Sequence, residues 1–141
     1  MNIFDLDGTL RSIKGSAHLA PRGMDKFINE NWVNWQNFVN KNGLPINKNI
    51  ELFNKTEKPI ILTSSLFGTK EWCEKHNLNP SLIIERDMKN ELPSFQYKKN
   101  FIDDNVKKIT LWVDDNKEVC DYASQQGLNV VFVNKPTVFS I

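Results

Sequence analysis

The chain has 141 residues, 40% of them hydrophobic and 25% charged, which suits one domain with a real core and leaves little room for a second. With 18 basic and 17 acidic side chains the formal net charge is +1, excluding a global field that would draw it to nucleic acid or to a membrane surface. No apolar run approaches the roughly 18 residues of a membrane-spanning helix and the N-terminus carries no signal-peptide pattern, so the expectation is a cytoplasmic protein with no membrane partner.

Asn2 to Phe4 are short and apolar and run straight into Asp5-Leu6-Asp7-Gly8-Thr9, a strand end followed by a turn. Arg11 to Ala20 reads as a polar loop. Pro21 opens a helical pattern, with Phe27, Ile28, Trp32, Trp35, Phe38 and Val39 recurring every three or four residues until Gly43 and Pro45. Asn47 to Lys55 is a second, shorter helix. A different rhythm follows. Ile60 to Leu62 is a buried strand, and Thr69 to His76 a helix capped by Thr69. Leu82 to Ile84 is another buried strand, followed by a helix over Tyr97–Lys107. Ile109 to Val113 is a strand, Lys117 to Gln126 a helix stopped by Gly127, and Val130 to Val133 the last strand. Short apolar strands alternating with helices predict an α/β fold, a Rossmann-like three-layer parallel sheet with helices on both faces. Roughly residues 15–45 form a small helical insert in a single domain, 1–141. Cys73 and Cys120 show no metal-ligand spacing and read as reduced thiols.

Parallel sheets bind ligands at the carboxyl ends of their strands, so the residues just after each strand matter most. They are Asp5, Asp7, Gly8 and Thr9; then Thr63, Ser64 and Ser65; then Arg86 and Asp87, with Lys89 and Lys98 further on; then Asp114 and Asp115. Four aspartates converging in a partly dehydrated place repel one another unless a cation joins them. Oxygen ligands and few carboxylates suit Mg²⁺. Carboxylates, a cation, a hydroxyl and a lysine together are the parts of a phosphoryl-transfer site: one aspartate attacks phosphorus and another protonates the leaving oxygen.

This order of motifs resembles the haloacid dehalogenase (HAD) superfamily of phosphotransferases. The first motif, DxDGT, stands as Asp5-Leu6-Asp7-Gly8-Thr9; the second as Ile60-Ile61-Leu62-Thr63; the fourth as Leu111-Trp112-Val113-Asp114-Asp115. The third is a lysine at the start of a helix, for which Lys98 competes with Lys99 and Lys89. The resemblance implies that Asp5 is the nucleophile and Asp7 the general acid and then base, with Asp5, Asp7 (through its backbone carbonyl), Asp114 and Asp115 around Mg²⁺. It also implies that Thr63 and Lys98 hold the phosphoryl oxygens, and that Gly8, Thr9, Ser64 and Arg86 lie on the substrate side. Ser64 to Lys70 and the step from Arg86 to Lys98 are similar to the 3′-phosphatase domain of phage-type polynucleotide kinases. Thr63-Ser64, Lys70-Glu71-Trp72 and Arg86-Asp87 are similar to the 5′(3′)-deoxyribonucleotidases. Both imply a phosphorylated partner that is a nucleotide or a nucleic-acid end. The chain departs from the first group in having Ser65 where an arginine stands, and it has no P-loop.

Other readings compete. An EF-hand would need carboxylates at further loop positions, and a response-regulator receiver places its acidic pair early. Small-metabolite or phosphoprotein phosphatase activity keeps the chemistry and changes the substrate. A non-catalytic binding or regulatory protein of the same fold has no need of four acids. Trp32, Trp35 and Phe38 could stack on a base, although such a stripe is more often core.

Overall fold

Five parallel strands form one sheet: β1 (Asn2–Phe4), β2 (Pro59–Leu62), β3 (Leu82–Ile84), β4 (Leu111–Asp114) and β5 (Asn129–Phe132), in the spatial order β3-β2-β1-β4-β5. Five α-helices connect them: α1 (Val33–Asn42), α2 (Asn47–Lys55), α3 (Thr69–Lys75), α4 (Ser94–Asn105) and α5 (Lys117–Gln125). The computed structural model describes residues 1–133, so positions 134–141 of the expected single domain lie outside the described residues.

Strand alternation sorts the core into two halves, because successive side chains point to opposite faces. Ile3, Ile60, Leu62 and Trp112 point to one face and pack on Ile102 of α4 and on Val119, Cys120 and Ala123 of α5. Phe4, Ile61 and Val113 point to the other, against Phe53 of α2 and Trp72 and Cys73 of α3. This is the expected three-layer architecture. Fully buried side chains such as Ile3, Phe4, Ile61 and Leu62 each contribute about 1.5–3 kcal/mol. The two cysteines are free thiols in opposite halves of the core.

Chain order reverses on either side of β1: β2 and β3 extend one way, β4 and β5 the other. Open α/β sheets bind ligands at such a switch point. Backbone bonds carry the ladder up to it, from the Asp5 N–H to the Val113 carbonyl (2.9 Å) and from the Thr63 N–H to the Ile84 carbonyl (3.0 Å).

Three expectations are corrected. The apolar stripe predicted as one helix from Pro21 is instead two 3₁₀ segments, Gly23–Phe27 and Asn29–Trp32, followed by α1. Ile28 between them is extended (φ −107°, ψ 112°). Tertiary bonds win over periodicity there: the buried Asn29 amide donates to the carbonyls of Met88 (2.6 Å) and Asn90 (2.8 Å), and its N–H donates to Glu91 Oε2 (2.8 Å). Thr69 does not cap α3. The cap position is Gly68, at φ 85°, and the Thr69 hydroxyl and N–H both donate to Glu85 Oε2. Finally, β3 is an edge strand with Leu82 51% exposed, not a buried one.

Candidate active site

The alternation that builds the core also aims the first carboxylates. Asp5 continues the side of Ile3, and Asp114 the side of Trp112, so both turn toward the face that α4 covers. Lys98, in the second turn of α4, meets them: its Nζ donates to Asp5 Oδ1 at 2.7 Å and to Asp114 Oδ2 at 2.9 Å. All three side chains are buried. Thr9 Oγ1 donates to Asp5 Oδ2 (3.0 Å), Trp112 Nε1 to Asp114 Oδ2 (3.2 Å), and the Asn116 N–H to Asp114 Oδ1 (3.1 Å). Asn116 also caps α5 by accepting from the Val119 N–H.

Asp115 completes the group. Asp5, Asp114 and Asp115 each offer a carboxylate oxygen, and these lie within 4.8 Å of one another, a set able to hold a metal ion. Gly8 makes room for it. At φ +83°, any Cβ there would stand 2.1 Å from Asp115 Oδ2. The donor set is oxygen only, which fits a hard cation rather than a thiophilic one.

Electrostatics points the same way. Among the described residues, Lys98 is the ammonium bonded to Asp5 and Asp114. Burial, reinforced by Asp114, pushes the Asp5 carboxyl well above its ordinary range, and Lys98 only partly opposes this. Burial alone would lower Lys98, but Asp114 and Asp5 overcome it and keep the ammonium charged. A cation joining this group would favour the ionised form of Asp5.

Asp7 is held separately. Arg11, fully buried, donates through Nε to Asp7 Oδ1 (2.7 Å) and through Nη2 to Asp7 Oδ2 (3.1 Å). Ser65 Oγ donates to Asp7 Oδ2 at 2.9 Å and accepts from Gln36 Nε2 at 3.0 Å. Arg11 Nη1 donates to Asn40 Oδ1 (2.7 Å). Gln36 and Asn40 belong to α1, so the insert helps to fix the second aspartate. Sequence reasoning missed Arg11, Ser65, Gln36 and Asn40 in this role. The available signal was an arginine four residues after Asp7, the reach of a local ion pair; the α1 contacts had no sequence signal.

A cavity of about 440 Å³ opens between the sheet edge and the insert, a size typical of small-molecule sites. Asp5, Asp7, Thr63, Ser64, Arg86, Lys98 and Asp115 line it on one side, and Phe27, Trp32 and Trp35 on the other. Thr63 Oγ1 accepts from the Ser65 N–H (3.0 Å), and Ser64 Oγ shares a hydrogen bond with Ser94 Oγ (2.6 Å). Gly8, Thr9 and Asp114 stand behind this lining: Thr9 and Asp114 are fully buried, and the Gly8 N–H is spent on the Arg11 carbonyl. The indole N–H groups of Trp32 and Trp35 are taken by the Lys26 carbonyl and Ser16 Oγ, and the two rings meet edge to face, 5.4 Å apart. Phe38 is packed against His18 instead. Among the described residues no helix is long and apolar enough to cross a membrane.

No protein-family model matches the chain, and no curated protein matches it. Its fold is similar to a chain in the Pnkp1/Rnl/Hen1 complex and to one in the Pnkp1/Rnl/Hen1 RNA repair complex. In each case the TM-score is 0.67 and the identity 19% over 94% of this chain. This chain spans 45% of the first and 41% of the second, and the likeness is one of fold.

Proposed function

We propose that the protein is a Mg²⁺-dependent phosphomonoester hydrolase of the HAD type, working through an aspartyl-phosphate on a nucleotide or a nucleic-acid 3′-phosphate. One observation carries this reading: Lys98 bridges Asp5 and Asp114, with Asp115 beside them and Asp7 two residues on, all at the switch point of the sheet.

Asp5, Asp114 and Asp115 would hold the cation. When bound it neutralises the carboxylates and the oxygens of the phosphoryl group. An Asp5 carboxylate oxygen attacks phosphorus, the ester P–O bond breaks, and Asp7 gives its proton to the leaving alkoxide. Lys98 and Thr9 keep the Asp5 carboxylate from rotating. Water then attacks phosphorus of the aspartyl-phosphate, Asp7 takes a proton from it, and Asp5 leaves as a carboxylate with release of inorganic phosphate. Arg11 holds Asp7 toward the cavity in both half-reactions, and the Thr63 and Ser64 hydroxyls face the phosphoryl oxygens. Lys98 has two carboxylates to serve and acts chiefly on Asp5 and Asp114.

The nucleotide part of the reading draws on the aromatic wall of the cavity and on the fold shared with chains of an RNA repair complex. A base stacked on Trp32 or Trp35 would be held without regard to its identity. The test is phosphate release, with Mg²⁺ and with EDTA, from 3′- and 5′-mononucleotides, a 3′-phosphorylated oligonucleotide, sugar phosphates and a phosphopeptide. Metal-dependent release concentrated on the nucleotide substrates is expected. Release confined to sugar phosphates or phosphopeptide would overturn the substrate class, and no release from any would overturn the activity.

A further inference from the structure

Among the described residues, the buried side-chain donors left without a hydrogen-bond partner are Nε and Nη2 of Arg86. The residue is 8% exposed. Its Nη1 donates to the Leu92 carbonyl at 2.8 Å, and the guanidinium lies 4.7 Å above the centre of the Tyr97 ring. The group is thus held from two sides, with its remaining edge unsatisfied. Burial lowers the Arg86 pKa, opposed by Tyr97. A buried donor without an acceptor bears its full desolvation cost, and native structures seldom tolerate that without a reason.

The two orphan atoms share one edge. In a guanidinium, Nε–H and one Nη2–H point the same way and meet two oxygens of one oxyanion. The chain uses this edge elsewhere: Arg11 places its own Nε and Nη2 on the two oxygens of Asp7. Arg86 lines the cavity together with Leu92 and Ser94. Its strand is not the one that carries Asp5. Arg86 follows β3, two strands from β1, and at about 4.8 Å per strand the two strand ends stand roughly 10 Å apart. Its backbone N–H, bonded to the Ser65 carbonyl at 3.0 Å, fixes it on that side.

We propose that the Nε–Nη2 edge of Arg86 receives a second oxyanion of the substrate, a phosphate adjoining the one that reacts. This rests on the reading given under the proposed function and narrows it. The substrate is a nucleic-acid strand end or a nucleoside bisphosphate, and a nucleoside carrying one phosphate fills only part of the site.

Affinity, read without turnover, tests this. Calorimetric titration of the Asp5→Asn protein would compare a nucleoside 3′-phosphate, the matching 3′,5′-bisphosphate and a dinucleotide bearing a 3′-phosphate. The second phosphate is expected to tighten binding about 10-fold, as a charge-assisted bidentate contact does. Adding Arg86→Met should remove that advantage. Arg86→Lys, which keeps the charge and loses the edge, should remove most of it and serves if the methionine variant does not fold. Preference for the bisphosphate over the dinucleotide would mark a terminal monoester as the second group, and the reverse an internal diester. Three results would overturn the proposal: equal or undetectable binding of all three ligands, an advantage that survives both substitutions, or loss of affinity for the monophosphate as great as for the bisphosphate. If wild-type protein hydrolyses nothing while the Arg86-dependent advantage persists, the hydrolase reading fails and the anion receptor stands.

Discussion

Arg11 and Asp7 form a two-bonded ion pair, Nε to Oδ1 at 2.7 Å and Nη2 to Oδ2 at 3.1 Å, that the insert completes through Asn40 and through Gln36 by way of Ser65. The proton donor of the proposed reaction is therefore aimed by a residue that itself does not line the cavity. Arg11→Lys should lower turnover of an alkyl phosphate by about 10²-fold, the low end of what general acid–base catalysis supplies. The loss should be much smaller for p-nitrophenyl phosphate, whose leaving group needs little protonation. Equal losses on both substrates would show that Arg11 supports the fold and does not position Asp7.

Lys98 is the sole ammonium bonded to the buried carboxylates Asp5 and Asp114 among the described residues. Lys98→Met strands those charges, at a cost on the order of 3–5 kcal/mol at neutral pH. Stability owed to Lys98 is fully present below the ordinary lysine value and is lost only as pH rises toward its raised value. Asp5, also raised, binds its proton above the ordinary carboxyl range, so on acidification the variant should recover part of its deficit. Urea denaturation in EDTA at pH 7 and pH 5 checks this. A deficit that is unchanged or larger at pH 5 would contradict it.

Gly8 stands at φ +83°, and a Cβ there would meet the Asp115 carboxylate at 2.1 Å. Gly8→Ala should cost about 1–3 kcal/mol from backbone strain alone. It should also displace Asp115 and weaken metal binding, read as a smaller rise in Tm on adding Mg²⁺ than the wild type shows. A variant that is destabilised yet keeps the full Mg²⁺-induced rise would remove Asp115 from the metal set.

Burial pushes the Cys73 thiol up to about 11 and the Cys120 thiol up to about 12, from an ordinary value of 9.0. Native protein at pH 8 should therefore resist iodoacetamide at both positions, and both should label once it is unfolded. Because the folded state holds these protons more tightly, stability should fall as pH rises from about 9 toward those values. Rapid native labelling, counted by mass, would contradict the burial of the two thiols.

The sheet was largely legible because its information is local. Three-residue apolar runs give β1 its bounds and β2 to within one residue, and the helix expected over Asn47–Lys55, ended by Glu57-Lys58-Pro59, is α2. Asp5, Thr63, Asp114 and Asp115 could be collected at one edge because strand ends are readable and parallel topology does the rest. What stayed hidden depends on partners far away in sequence. Nothing near Asn29 announces that its amide will bond the carbonyls of 88 and 90 and break a helical stripe at Ile28. Thr69 looks like a helix cap until Glu85 claims its hydroxyl. Ser65 stands where the polynucleotide 3′-phosphatase pattern has an arginine; here its hydroxyl donates to Asp7.

The most direct test of the account is a rapid acid quench of the wild-type protein with a 3′-radiophosphorylated oligonucleotide and Mg²⁺. The predicted result is label transiently bound to the peptide containing Asp5, absent in EDTA and absent from Asp5→Asn, which also releases no phosphate. Turnover without labelled protein at any time, or phosphate release by Asp5→Asn at the wild-type rate, would contradict it.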